Sequence, residues 1–206
     1  TRNKILTKKI NAQLFIKGNY NMKKSILIII EILTSALWGQ QIDTDSLITR
    51  QTLGTELDLL PYVSGGYYVS AWYGIDQFRF RAILTKTTVP QFAVADGYTD
   101  NKLNVYAFIT DYFFKKNFEG FWVGTGLEYW DSQITYEAEN QTSSYNNTVF
   151  TLGGGYVWKF YDNFYLNPWV AFHYIIAGDK EVQVGSSTFK PNVFTPEASI
   201  KIGWHF

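Results

Sequence analysis

His173, Glu197 and Ser199 are the residues of this chain whose types best fit bond-breaking chemistry. A hydroxyl nucleophile needs a histidine to take its proton and a carboxylate to orient the ring. All three lie on what read as neighbouring strands near the C-terminus. The chain holds only two histidines, His173 and His205, and no His-x-Ser pairing. On strand parity the three side chains point into the interior of the sheet. The expectation is therefore a hydrogen-bonded interior histidine and no assigned catalytic residue, with an enzyme kept as an alternative and not as the main reading.

Other chemistries have less to work with. Cysteine is absent, which removes a disulfide framework, a thiolate metal site and a Cys nucleophile. Two histidines at opposite ends of their elements do not form a usual transition-metal site. Asp96, Asp100, Asp179 and Glu181 are scattered along connections and read as solvated acids. Gly153-Gly154-Gly155 lacks the lysine and helix that follow a phosphate-binding loop. Asn140-Gln141-Thr142 fits a glycan acceptor pattern, as short patterns do by chance. No cofactor and no metal are expected.

The elements that must position these residues are strands. Along F-T-P-E-A-S-I-K-I-G-W-H-F, residues 194–206, Pro196, Ala198, Ile200, Ile202, Trp204 and Phe206 share one parity. Glu197, Ser199, Lys201, Gly203 and His205 share the other. Alternate side chains of a strand leave by opposite faces, so one face is apolar and the other charged. Turn residues divide the chain into eight such segments: about 53–63, 67–75, 78–89, 102–114, 121–136, 148–160, 164–184 and the last strand. Short connections at Asp76-Gln77, 115–120 and 161–163 alternate with long ones at 90–101, 137–147 and 177–193, the last of which contains a candidate hairpin, 180–189.

Parity then sorts the faces. Phe78, Phe80, Ala82 and Leu84 point one way; Arg79, Arg81, Thr85 and Thr87 point the other. Phe121, Val123, Leu127 and Tyr129 oppose Gly124, Gly126, Glu128 and Trp130. The same holds for Phe150, Leu152, Tyr156, Trp158 and Phe160 against Thr151, Gly153, Gly155 and Lys159. The charged face thus collects Arg79, Arg81, Glu128, Lys159, His173, Glu197 and Lys201. Enclosed charges must pair, because an unpaired one costs several kcal/mol, so one salt-bridged network filling a narrow lumen is expected. Strand four resists the scheme. Asp111 shares parity with Val105 and Ile109, which calls for a bulge or a reversed face.

Aromatics are 18% of the chain at a mean hydropathy of −0.13, which suits strands with one apolar face. They bunch at the short-turn ends: Tyr73, Phe78, Tyr112, Phe113, Phe121, Trp158, Phe160, Phe164 and Trp204, as an interfacial girdle would. The formal charge of zero hides a division. Residues 1–39 hold seven Lys or Arg against Glu31, leaving 11 basic and 17 acidic residues in 40–206. An acidic chain without a basic patch argues against a nucleic-acid partner.

The basic front reads as an address. Met22-Lys23-Lys24, an apolar run from Ile26 to Leu33 and the small residues Thr34, Ser35 and Ala36 have the pattern of a secretory signal peptide. The run is too short to span a bilayer as a helix. The expected division is an upstream extension over 1–21 outside the working protein, a signal over 22–39, a polar lead over 40–52 and a barrel over 53–206.

Over 53–206 the chain resembles the small eight-stranded bacterial outer-membrane β-barrels, and its aromatic-rich strands resemble the Bacteroidota type. The resemblance rests on the signal pattern, the alternating strands, the loop asymmetry and the terminal Trp204-His205-Phe206. It implies an all-β fold, an eight-stranded antiparallel transmembrane β-barrel preceded by a cleavable signal peptide, in the outer membrane of a Gram-negative bacterium after export through the periplasm. It also implies that Trp204 and Phe206 are read by the barrel-assembly machinery, and that outer-membrane lipid surrounds the wall. The role this favours is structural or surface-interacting, with an extracellular ligand or protein met at 90–101, 137–147 or 177–193. A narrow, porin-like pore gated by lumen salt bridges and a lipid-modifying enzyme are the alternatives. A soluble barrel with an apolar interior is the competing fold.

Overall fold

A computed structural model describes residues 51–206. The upstream extension, the signal and nearly all of the polar lead lie outside these described residues. Eight strands close into an antiparallel barrel: β1 (Gln51–Asp58), β2 (Tyr67–Ile75), β3 (Phe78–Thr88), β4 (Tyr98–Phe113), β5 (Gly120–Tyr136), β6 (Gln141–Tyr161), β7 (Phe164–Gly178) and β10 (Phe194–His205). Between β7 and β10, β8 (Val182–Val184) and β9 (Ser187–Phe189) form a separate hairpin. A one-turn helix, α1 (Leu59–Val63), joins β1 to β2.

The differences from the expected segments have local causes. β1 stops at Asp58, whose carboxylate accepts the Leu60 N–H and caps α1. Pro61 cannot donate to a sheet ladder, so the segment expected to run on as strand to residue 63 turns helical instead. The connection expected over 137–147 is mostly strand. Tyr136 pairs with Gln141, and the β5–β6 ladder runs unbroken to Gly120↔Val157. β7 ends at Gly178 (φ 113°), where a left-handed backbone bends the chain away before the hairpin.

The two faces separate as parity predicts. Leu84, Phe108, Leu127, Leu152, Val170 and Ile200 are exposed on the outside. Arg79, Arg81, Asn167, Thr151 and Lys201 are buried inside. Outward aromatics sit at both margins of the apolar band. At the short-turn margin, Phe78 packs on Tyr112, Phe121 on Tyr156 and Phe164 on Trp204. At the other margin, Tyr106 lies by Tyr129 and Phe172 stacks on Phe194. Phe113 leaves the expected girdle: it points inward and is 0% exposed.

Strand four is resolved by reversing its faces. Leu103, Val105, Ile109, Asp111 and Phe113 are buried inside, while Tyr106, Phe108 and Tyr112 are exposed. The register to β3 and β5 is continuous from Lys102 to Tyr112, and the irregularity with β5 falls between Thr99 and Lys102. An apolar stripe therefore faces the lumen on this strand.

Candidate functional site

The lumen is solid at the short-turn end. Phe118, on the β4–β5 turn, packs against Trp72, Phe113, Trp122, Val157 and Tyr165 to form a buried aromatic floor. Above it sits a charge cluster from three strands. Arg79 donates to Glu56 Oε1 at 2.8 Å and to Asp111 Oδ2 at 2.7 Å. Arg81 Nη2 donates to Asp111 Oδ1 at 2.9 Å, and its Nε lies 2.7 Å from Asp111 Oδ2. Glu56 Oε1 also accepts from Tyr165 and from Asn167. The Arg79 guanidinium lies over the rings of Phe113, Trp122 and Trp72, at 4.9, 5.3 and 5.6 Å from their centroids. Two arginines against two carboxylates leave the cluster neutral, which is what burial at 0–2% exposure requires.

Gly124 makes room for this cluster. It stands opposite Asp111 in the β4–β5 register, and a Cβ there would overlap Asp111 Oδ1. Gly124→Ala is expected to displace that carboxylate and lower stability by about 1–3 kcal/mol, the usual cost of overpacking. Denaturant unfolding of the refolded protein checks it, and an unchanged midpoint would place Asp111 elsewhere.

Towards the long-loop end the lumen is hollow. A cavity of about 720 Å³ opens above Trp122, within the size range of small-molecule sites. The expectation of a lumen packed throughout thus holds only for its lower half. One wall is the apolar stripe of β3 and β4: Ile83, Leu103, Val105, Ala107 and Ile109. Glu128, Thr151, His173 and Glu197, on β5, β6, β7 and β10, make up the polar wall; Lys201 and Arg81 lie at the base with Tyr68. The β8–β9 hairpin stands beside the mouth, where Val182, Val184 and Phe189 pack with Tyr98, Ile134 and Tyr145 in a second apolar cluster. At its base, exposed Lys190 pairs with Glu181 at 2.7 Å, which raises the lysine and lowers the carboxyl from their ordinary pKa values.

The residues expected to share one network fall into separate groups. Arg79 and Arg81 bind Glu56 and Asp111, neither of which belonged to the expected set. Glu128, His173 and Glu197 form a second cluster on the cavity wall. His173 Nε2 is 3.0 Å from Glu197 Oε2, and Nδ1 is 2.9 Å from Thr151 Oγ1. Thr151 donates to Glu128 Oε1 at 2.7 Å, and Trp130 donates to Glu128 Oε2. Lys159 reaches Asn117 O at the short-turn end. Lys201 is 1% exposed, with its ammonium 3.5 Å from the Trp169 ring centroid. Trp204 lies on the outer face, stacked on Phe164 and next to Phe206.

The set considered for hydrolysis is not assembled. Ser199 donates to Asp58, not to His173. The hydroxyl nearest His173 belongs to Thr151, and its hydrogen is committed to Glu128. Both ring nitrogens are taken, by Thr151 and by Glu197, and neither is directed at a free hydroxyl. Among the described residues no group of three or more His, Cys, Asp or Glu side chains is placed to hold a metal.

Glu56 and Asp111 had signals in the sequence. Glu56 and Asp58 share an inward parity opposite Leu53 and Leu57, and Asp111 sits two rungs from Ile109. Both are obscured when apolar parity is taken as outward.

No family model matches the chain, and no curated protein matches it. Among solved structures it is similar to the crystal structure of Neisserial surface protein A (NspA). The identity is 17% and the TM-score 0.47, over 77% of this chain and 96% of that one.

Proposed function

We propose that the protein is a non-conducting outer-membrane barrel of a Gram-negative envelope, exported through the periplasm, whose open end binds a small molecule. Its outer band supports the membrane reading. Phe164 to Tyr174 on β7 and Phe121 to Tyr129 on β5 bracket the apolar face with aromatics, matching the roughly 9–11 residues a tilted strand needs to cross a bilayer. A soluble barrel would present a polar exterior there. Trp204 and Phe206, outward at the short-turn margin, are then where the barrel-assembly machinery would bind.

One observation carries the functional part: a cavity open at the long-loop end above a floor closed by aromatics and paired charge. A pore needs a continuous path, and Trp72, Phe113, Phe118 and Trp122 interrupt it. A binding cup needs a closed base and mixed walls, and both are present. The connections at 90–101 and 177–193 border the mouth, so a larger extracellular partner would meet the protein there too.

The test is planar-bilayer recording on the chain refolded from Gln40, with heat-shifted gel migration as proof of folding. The expected result is a folded, electrically silent protein. Discrete steps that change in Arg81→Ala would favour the gated pore, and the cavity would then be its vestibule.

A further inference from the structure

The barrel wall is incomplete beside the cavity. β1 pairs with β10 only from Gly54↔His205 to Asp58↔Lys201. β10 continues upward along β7 to Phe194↔Tyr174, so 194–200 have a neighbour on one side alone. β2 is similarly bare above Ser70, where Tyr67–Val69 pair with β3 but not with β1. Pro196 sits on the open stretch of β10, a position where its missing N–H costs no ladder bond.

α1 fills this seam, and its ties are lopsided. Towards β2 and β3, Tyr62 donates to Tyr68 O and Ser64 Oγ lies 2.7 Å from Thr87 Oγ1. Towards β10 the hydrogen bond is at the cap alone, from Ser199 to Asp58. Outward-facing Pro196 and Ala198 nevertheless line the cavity together with inward-facing Glu197 and Lys201. The hollow therefore borders β10 along the stretch that lacks a β1 partner, next to α1. Leu60 and Pro61 form the facing edge.

The base of the cavity holds donors without acceptors. Lys201 Nζ has the rings of Trp169 and Tyr68 beside it, and among the described residues no oxygen accepts a hydrogen bond from it. Tyr68 OH is buried beside the Ser70 hydroxyl, and Arg81 Nη1 is buried without an acceptor, 3.6 Å from Glu56 Oε2. Glu56 Oε2 is itself buried without a hydrogen bond, and the other acids nearby are already engaged. Asp58 takes Trp169, Ser199 and the Leu60 N–H. Asp111 takes both arginines, and Glu128 and Glu197 hold His173. An incoming group thus meets unpaired donors of positive character, and buried donors of this kind gain most from a charged acceptor.

We propose that the cavity binds a single-chain amphiphile with an anionic headgroup, taken up sideways from the lipid through the seam between α1 and β10. The headgroup meets Lys201, Tyr68 and Arg81; the chain lies on Ile83, Val105 and Ile109. A purely aqueous vestibule has no use for that apolar stripe, and a purely apolar ligand has none for the three donors. This rests on the reading of a membrane-embedded binding cup and names its ligand class and entrance.

The experiment titrates dodecanoate, dodecyltrimethylammonium and dodecanol into the full refolded protein in phosphatidylcholine vesicles. It follows fluorescence of the tryptophans at the cavity, with heat-shifted migration checked for each variant. Saturable binding of dodecanoate alone is expected, weakened at least tenfold in Lys201→Met. Tyr68→Phe keeps the ring and is expected to weaken binding several-fold, which preserves the test if Lys201→Met does not fold. Ala198→Trp, at the outer edge of the seam, is expected to slow uptake from the vesicles several-fold. Equal binding of the cationic or neutral amphiphile, or indifference to both base variants, would overturn the anionic site while leaving a binding cup. An unchanged uptake rate in Ala198→Trp would overturn the sideways route. No binding of any probe by the folded protein would overturn the whole proposal, whereas channel steps in the same preparation would instead remove the closed-floor reading beneath it.

Discussion

Asp111→Asn is expected to cost about 3–5 kcal/mol of stability, the range for removing one partner of a buried ion pair. The carboxylate takes hydrogen bonds from Arg79 Nε and from Arg81 Nη2, and it is 0% exposed. Its loss leaves two guanidinium groups sharing Glu56, with an uncompensated positive charge enclosed by Trp72, Phe113 and Trp122. The isosteric amide keeps the volume, so a cavity term does not confuse the result. Urea unfolding from lipid vesicles, followed by tryptophan fluorescence, gives the difference directly. Glu128→Gln, on the wall of the open cavity, should cost less because water can reach it. A loss below about 1 kcal/mol for Asp111→Asn would mean a hydrated cluster, and the silent-barrel reading would have to yield to a pore.

Val170→Lys tests the other face. Val170 is 53% exposed near the middle of the apolar band between Phe164 and Tyr174. A lysine at the bilayer midplane is expected to cost about 2–4 kcal/mol, falling to about 0–1 near the interface, where Tyr174→Lys is the matched control. Heat-shifted migration after refolding into vesicles reads the folded fraction. Equal assembly of the two variants would mean that lipid does not cover this face.

Much of the architecture was legible because a two-residue period needs no partner to be seen. The faces of β3, β5, β6 and β10 follow from alternation alone, as does most of the ring of outward aromatics. Strand ends were less legible, since they depend on tertiary pairing. Nothing local says that 141–147 will find 130–136 and lengthen the hairpin, or that Asp58 will cap a helix instead of continuing a strand. The candidate site was legible by residue type and not by grouping. Charge on an inward parity identifies Arg79, Arg81, His173 and Lys201 as enclosed, but which acid each one meets depends on stagger around the ring. That stagger brings Glu56 within reach of Arg79 across 23 positions of sequence. The apolar stripe of β4 was read as a fault in the pattern; in three dimensions it is the wall of the cavity.

With the protein placed in an outer membrane as proposed, the unbroken β5–β6 ladder has a consequence for recognition from outside the cell. Its two arms pair from Gly120↔Val157 to Tyr136↔Gln141 without a register shift. A bilayer crossing uses only about 9–11 residues of each arm. On the proposed membrane reading, the remaining rungs, at about 3.4 Å each, would stand clear of the lipid as a twisted blade stiffened by cross-strand bonds. An antibody or phage tail that grips this blade would lose little entropy in ordering it, and would read a shape, not a stretch of chain. Immune sera raised against the folded protein should therefore fail on the boiled, denatured band.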